Sequence, residues 1–443
     1  MKTTISYTRI WQIAYPIILG SIAQNLINFT DTAFLGRVGE IALGAGALGG
    51  LLYLAFIMLG LGFGTGAQII IARRYGENNL KQIGPIVEHS IYFLLPLALL
   101  VFLLMRFGSV FTLHYAVASQ EVYEATIDFL KYRSFGIFFA FINMVFRSFY
   151  VGLAKTKVIT YTTIVLAITN IIFDYLLIFG HYGFPELGIE GAAIASVIAE
   201  AVAMLFFIAY TYATVRFKDY DLFCFCQVSL SRLKRILTVA APIMMQSFLA
   251  LFVWFIFFLF IEKLGESSLA VSNIIRSIFV VLMMPIWGFS TATNTLVSYL
   301  IGQQKSGEVM SLILKIVRLC FLGVLAIVSV GLFFPAYVLS VYTDNAALIE
   351  LGIPILYVVS IGALFLSIGF IFFNGVSGTG KTNVSLLIEM IVLVIYLSYA
   401  YMMVYVANAP IAGVWTTEIL YGIMLAVFSY IYLKRGRWRE SSI

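Results

Sequence analysis

Charge is the first thing this sequence lacks. Only 11% of its 443 residues are Asp, Glu, Lys or Arg, while 62% are hydrophobic. A soluble domain of that length cannot hide so much apolar side chain, because its surface must still be wetted. Cysteine and histidine are equally scarce, at three residues each. Cys224 and Cys226 form one pair without a second Cys/His pair nearby, so a zinc site is excluded, and all three cysteines, with Cys320, read as structural. His89, His114 and His181 are scattered, and no nucleophile–base set or metal-ligand spacing accompanies them, which argues against an enzyme. The net charge of +6 is spread over short segments, so it points to membrane topology and not to nucleic acid.

Long apolar runs are abundant. A bilayer core about 30 Å thick takes a helix of roughly 20 apolar residues. Backbone groups in lipid must be satisfied within the segment, so such runs are helices. Twelve spans are expected, at 10–36, 45–71, 86–108, 126–152, 158–179, 189–215, 236–262, 270–298, 312–333, 350–374, 384–406 and 412–433. The first contains Asp31 and has no small-residue cleavage site, so it reads as a span and not as a cleavable leader. With the N-terminus inside, twenty Lys and Arg residues fall in inner segments and six in outer ones, among the latter Arg133 and Arg276. That bias places both termini in the cytoplasm of a multi-pass plasma (inner) membrane protein.

The chain also repeats itself. A shift of 226 residues lays Arg9-Ile10 on Arg235-Ile236, Pro16-Ile17 on Pro242-Ile243 and Gly39-Glu40 on Gly265-Glu266. The same register lays Gly62-Phe63 on Gly288-Phe289, Gly136 on Gly362 and Lys155-Thr156 on Lys381-Thr382. A repeat of six spans gives halves of parallel orientation. The expected fold is therefore all-α, with two six-helix lobes, residues 1–225 and 226–443, related by a pseudo-twofold axis along the membrane normal. The substrate path is expected between them.

Charge within spans marks candidate chemistry, because a carboxylate at mid-membrane costs roughly 2.5–3.5 kcal/mol on insertion scales. Asp31 lies in span one and Asp174 in span five, with Asn170 one turn before Asp174 on the same helix face. Two such carboxylates in one cavity could share a proton, or could hold Na⁺ with oxygens from Asn170, Thr30 or Ser196. The plainer alternative for each aspartate is a satisfied structural group or a wet helix end. The repeat mates of Asp31 and Asp174 are Phe257 and Ala400, so the site is asymmetric. Three further acids lie in spans, Glu200, Glu389 and Glu418, the last on the repeat position of Ser196 if the loops are gapped. Gln24, Asn28, Gln246, Glu389 and Glu418 are candidates for a substrate cavity. Glu389 and Glu418 have as alternative a structural pairing, for example with Arg147 or Arg276.

Two glycine-rich motifs need placing. Gly375-Val-Ser-Gly-Thr-Gly380-Lys381-Thr382 matches a phosphate-binding loop in pattern, but spans flank it where a soluble sheet would be required. Gly60-Leu-Gly62-Phe-Gly64-Thr-Gly66 reads as close helix packing or a flexible inner gate.

At these residues the chain resembles the multidrug and toxic compound extrusion family, nearer its DinF-type branch. The likeness rests on Pro16, Asp31-Thr-Ala-Phe-Leu-Gly36, Gly64-Thr-Gly66-Ala, Arg147 through Lys157, Asn170-Ile-Ile-Phe-Asp174 and Gly191-Ala-Ala-Ile-Ala-Ser196. It implies two lobes around a central cavity, no cofactor, and export of cationic or amphiphilic compounds by a monomer in exchange for Na⁺ or H⁺. It also implies an N-lobe cation site at Asp31, Asn170 and Asp174, with Ser196 where the family pattern has threonine and Tyr132 as a span-four tyrosine. The NorM-type branch has a span-seven carboxylate; this chain has Gln246 near that place. The main rival is a flippase or exporter of a lipid-linked sugar or metabolite. Such a protein would line its cavity with Arg and Lys, and only Arg147 lies deep in a span.

Overall fold

The computed structural model describes residues 5–225, 227–436 and 438–439. Lys2, Cys226 and Arg437, which entered the topology and cysteine arguments above, lie outside the described residues. Seventeen α-helices follow one another: α1 (Tyr7–Val38), α2 (Glu40–Gly76), α3 (Ile83–Leu103), α4 (Ser109–Ala116), α5 (Gln120–Arg133), α6 (Gly136–Gly152), α7 (Lys157–Phe179), α8 (Gly188–Thr214), α9 (Phe217–Tyr220), α10 (Leu230–Glu262), α11 (Glu266–Gly302), α12 (Val309–Phe333), α13 (Pro335–Ser340), α14 (Ala346–Gly378), α15 (Thr382–Tyr401), α16 (Ile411–Trp415) and α17 (Thr417–Arg435). No strand occurs among the described residues.

Eleven stretches are long and apolar enough to cross a membrane, and the bent pair α5–α6 makes a twelfth when counted as one span. Each expected span coincides with one of these, with limits that differ by up to seven residues. One differs in form. Span four, read as continuous over 126–152, is broken after Arg133 and turns by 50°. The break falls at Ser134-Phe135, just before Gly136, where Arg133 leaves the helix end for a buried ion pair. Short π-turns at Leu104–Gly108 and Met402–Val406 extend spans three and eleven. Gly180 ends α7 with φ +69°, a left-handed cap that a residue with a side chain rarely adopts.

Contacts divide the chain into two compact units. One comprises Leu19–Tyr75 and Asn79–Met244; the other comprises the residues up to Ile18, Gly76–Asn78 and the residues from Met245 onward. The divisions after Ile18 and after Met244 stand one repeat length apart, inside α1 and α10. Within the first unit α7 packs along α8, and α6 packs against α3 and α8. The start of α10 belongs here: Gly62 lies against the main chain of Met244, and Gly66 against Ala240. Within the second unit α14 is the central helix, packed by α17, α11 and α12. The start of α1 belongs to that unit: the Trp11 and Phe289 rings meet at a tilt with centroids 6.0 Å apart, and Gly288 lies against Ile18.

The Gly60–Gly66 run is thus close helix packing, with its glycines on two faces. Gly60 and Gly64 face Phe141, Met144 and Ser148 of α6, whereas Gly62 and Gly66 face α10. The phosphate-loop look-alike is the end of one helix and a three-residue turn, Thr379 to Lys381, into the next. Helix α14 continues through Gly378, and Gly375 and Gly378 pack on Ile313 and Asn294. His89 is a buried anchor and not a loop residue: its Nε2 accepts from the Ser229 N–H at 2.9 Å, and its Nδ1 meets the Pro85 carbonyl at 2.7 Å. Cys320 is buried and Cys224 exposed, both as free thiols.

Candidate functional site

Helices α1 and α7 bring the two aspartates together in the first unit. Asp31 and Asp174 are close enough to share a hydrogen bond through their carboxyl groups. The helical period explains the arrangement. Asn170 and Asp174 stand one turn apart on α7, and both are buried, at 1% and 0% exposure. On α1 the residues Gln24, Asn28 and Asp31 follow at helical spacing; Gln24 and Asn28 are exposed. Apart from the contact between the two carboxyl groups, Asp31 Oδ1, both polar atoms of the Asn170 amide and both oxygens of Asp174 are buried without a hydrogen bond from the rest of the protein. Buried polar groups normally have partners, so unpartnered polar atoms on three neighbouring side chains single these residues out as a candidate site.

A second cluster stands beside this one. Arg133 at the end of α5 grips Glu200 of α8 at two points, with Nη2 donating to Oε1 at 2.7 Å and Nη1 to Oε2 at 3.0 Å. Tyr53 of α2 donates its hydroxyl to the same carboxylate at 2.9 Å, and the guanidinium lies 3.5 Å from the centre of the Tyr53 ring. Gly136 packs directly on the pair, where a side chain would meet both the guanidinium and the carboxylate. Asn143 Nδ2 donates to the Glu200 carbonyl at 3.0 Å. The charge of Arg133 also acts on Asp31 and Asp174. Arg133 thus grips one carboxylate, while its charge reaches two further carboxyl groups.

Arg133 was expected in an outer segment; it is a buried partner of Glu200, because a carboxylate inside a span needs a compensating charge. Glu200 itself was visible as an intramembrane acid, and that was the available signal for seeking its cation. Neither Tyr132 nor Ser196 is hydrogen-bonded to the aspartates. Tyr132 lies beside Lys131, whose ammonium sits 5.3 Å from its ring centre. The Arg147 and Arg276 pairings weighed for the later glutamates do not form. Glu389 accepts from Tyr421 at 2.7 Å, and Glu418 accepts from Tyr396 at 2.8 Å and from Trp254 Nε1 at 3.4 Å. Gln246 donates to Ser385 Oγ at 2.7 Å and to the Thr382 carbonyl at 3.5 Å. Among the described residues no group of three His, Cys, Asp or Glu side chains is placed to hold a metal ion.

Two stretches of the chain, residues 16–176 and 242–402, match the MatE family. The chain belongs to the MatE family. Its members, the multidrug and toxic compound extrusion proteins, are transporters and not enzymes, and the two matched stretches stand one repeat length apart. Among curated relatives, a probable multidrug resistance protein NorM of Synechocystis is 25% identical over 430 residues, covering 95% of this chain and 92% of that protein. A second, from Thermotoga maritima, is 23% identical over 434 residues, covering 98% and 93%. The fold agrees as well. A solved outward-facing multidrug resistance MATE transporter of the MOP superfamily superposes with a TM-score of 0.89 at 22% identity, covering 96% of this chain and 95% of that one. Solved MATE structures in straight and in bent conformations both give a TM-score of 0.88. This MatE protein is thus an all-helical, multi-pass membrane transporter.

Proposed function

We propose that this protein exports cationic or amphiphilic organic compounds by antiport, taking in Na⁺ or H⁺ at Asp31, Asn170 and Asp174. The observation that carries the reading is the set of orphaned, buried polar atoms on those three side chains. A carboxyl pair without enough countercharge attracts a proton or a small cation, and Asn170 can contribute an amide oxygen to a cation shell. The same three residues carry the likeness to the DinF-type branch, and the curated relatives named above are described as multidrug resistance proteins.

The cycle is alternating access between lobes at 1–225 and 226–443, in a monomer of the plasma membrane with both termini cytoplasmic. The ion loads Asp31 and Asp174 from outside. Span one then adjusts at Pro16, which cannot supply a backbone donor to its helix. Cargo affinity falls on that face and the cargo leaves. An inward positive charge gains about 2.3 kcal/mol per 100 mV of membrane potential, which helps drive the exchange. Gln24 and Asn28, exposed on the Asp31 helix, are the polar residues proposed to meet cargo.

The test is transport of a fluorescent organic cation in proteoliposomes, with Na⁺ and pH gradients imposed separately. Uptake driven by one gradient, and lost in Asp31→Asn while the protein still folds, supports the reading. Full activity of Asp31→Asn under both gradients removes it.

A further inference from the structure

Moved by 226 residues, Asp31, Asn170 and Asp174 fall on Phe257, Tyr396 and Ala400. The second unit has no aspartate pair at that place. It has a different acidic arrangement around the same position. Asn143 meets the Glu200 carbonyl in the first unit, and its repeat mate Gly369 lies against the Gly422 carbonyl in the second. That correspondence puts Glu418 on the repeat position of Ser196.

Helices α15 and α17 are joined there by two reciprocal bonds. Tyr396 of α15 donates to Glu418 of α17 at 2.8 Å, and Tyr421 of α17 donates to Glu389 of α15 at 2.7 Å. The two phenol rings meet edge to face with centroids 5.6 Å apart. Phe257 lies 5.5 Å from Tyr396, and Trp415 lies 5.4 Å from Phe257. Both glutamates are only 3% exposed, and Glu389 Oε2 is buried with no partner. The polar groups bonded to the two carboxyls are Tyr396, Tyr421 and Trp254, and Gly362 of α14 lies against the Glu418 side chain. Among the described residues, no Lys, Arg or His is bonded to either glutamate.

A carboxylate held only by neutral donors, in a span, carries a charge that nothing offsets. A proton removes the charge and needs a single oxygen, such as the vacant Glu389 Oε2. A metal cation needs several oxygens at once, whereas here each carboxyl is engaged by its own phenol. We propose that Glu389 and Glu418 form a second proton-binding site, in the second unit, beside Tyr396, the repeat mate of Asn170. This site binds and releases protons independently of whether Asp31 and Asp174 carry Na⁺ or H⁺.

Infrared difference spectroscopy of the purified protein, between acidic and alkaline samples, tests it without a transport assay. Protonated carboxyl groups give a carbonyl band that ionised ones lack. Glu389→Gln and Glu418→Gln should each remove one pH-dependent band, and Asp31→Asn should leave both in place. Glutamine still accepts from the tyrosine, so the helix contact survives. Should either variant fail to fold, Tyr421→Phe and Tyr396→Phe should shift the same bands without removing them. The proposal is overturned if the double glutamine variant keeps every pH-dependent carboxyl band. Loss of the Glu389 band on adding Na⁺ at constant pH overturns it in favour of a metal-ion site.

Discussion

Arg133 and Glu200 form a two-point ion pair, 2.7 and 3.0 Å long, between the broken span four and span six. Both side chains are nearly enclosed, at 12% and 13% exposure. Removing one partner of such a pair leaves an uncompensated charge and costs about 3–5 kcal/mol. Arg133→Met should therefore lower the melting temperature sharply in detergent. Arg133→Met combined with Glu200→Leu should recover most of the loss, and a double-mutant cycle measures the difference. Additive losses would show that the pair does not hold these helices.

Gly62 and its repeat mate Gly288 should tolerate alanine unequally. At Gly62 the new methyl meets the main chain of Met244, which cannot turn away, whereas at Gly288 it meets chiefly the Ile18 side chain. Overpacking of this kind costs about 1–3 kcal/mol where the neighbour cannot yield. Thermal unfolding of Gly62→Ala and Gly288→Ala should show the larger loss at Gly62. Equal losses would mean that the α2–α10 contact relaxes freely.

Asp174→Asn should reduce ion-driven transport by about tenfold or more, the equivalent of about 1.4 kcal/mol of binding, with little change in folded yield. Asn170→Leu should reduce it as well if Na⁺ is the ion, since the amide oxygen then belongs to the shell. An effect of Asp174→Asn without one at Asn170→Leu would indicate H⁺. Counterflow in proteoliposomes at fixed pH, with and without Na⁺, separates the two outcomes.

Gln246→Ala removes a donor to Ser385 and to the Thr382 carbonyl. The expected cost is about 1 kcal/mol of stability, with the ion dependence of transport unchanged. A changed response to Na⁺ or pH would instead place Gln246 in the coupling path.

Much of the architecture was legible because lipid tolerates few alternatives. Long, largely apolar runs must be helices, so every expected span recurs in the structure, with limits off by up to seven residues. The 226-residue register was visible because the same glycines and prolines recur where helices pack or bend. The face shared by Asn170 and Asp174 followed from helical spacing alone. The 50° turn after Arg133 left only an indirect trace: Asp128, Lys131 and Arg133 make the start of the run 126–152 more polar than the rest, but no local pattern encodes the bend itself. Nor were the partners of Glu200, Glu389 and Glu418 legible, because each lies on another helix, at separations from 22 to 164 residues that follow no local period.

The sequence by itself determined that this protein is helical, membrane-spanning and internally repeated, and that its intramembrane acids lie unequally in the two halves. These properties depend on local composition and on the cost of unpaired backbone in hydrocarbon. Only the tertiary structure decided that Asp31 faces Asp174, that Arg133 neutralises Glu200, and that the compact units divide inside α1 and α10. Those pairings depend on distances between helices, which packing sets and no local pattern encodes.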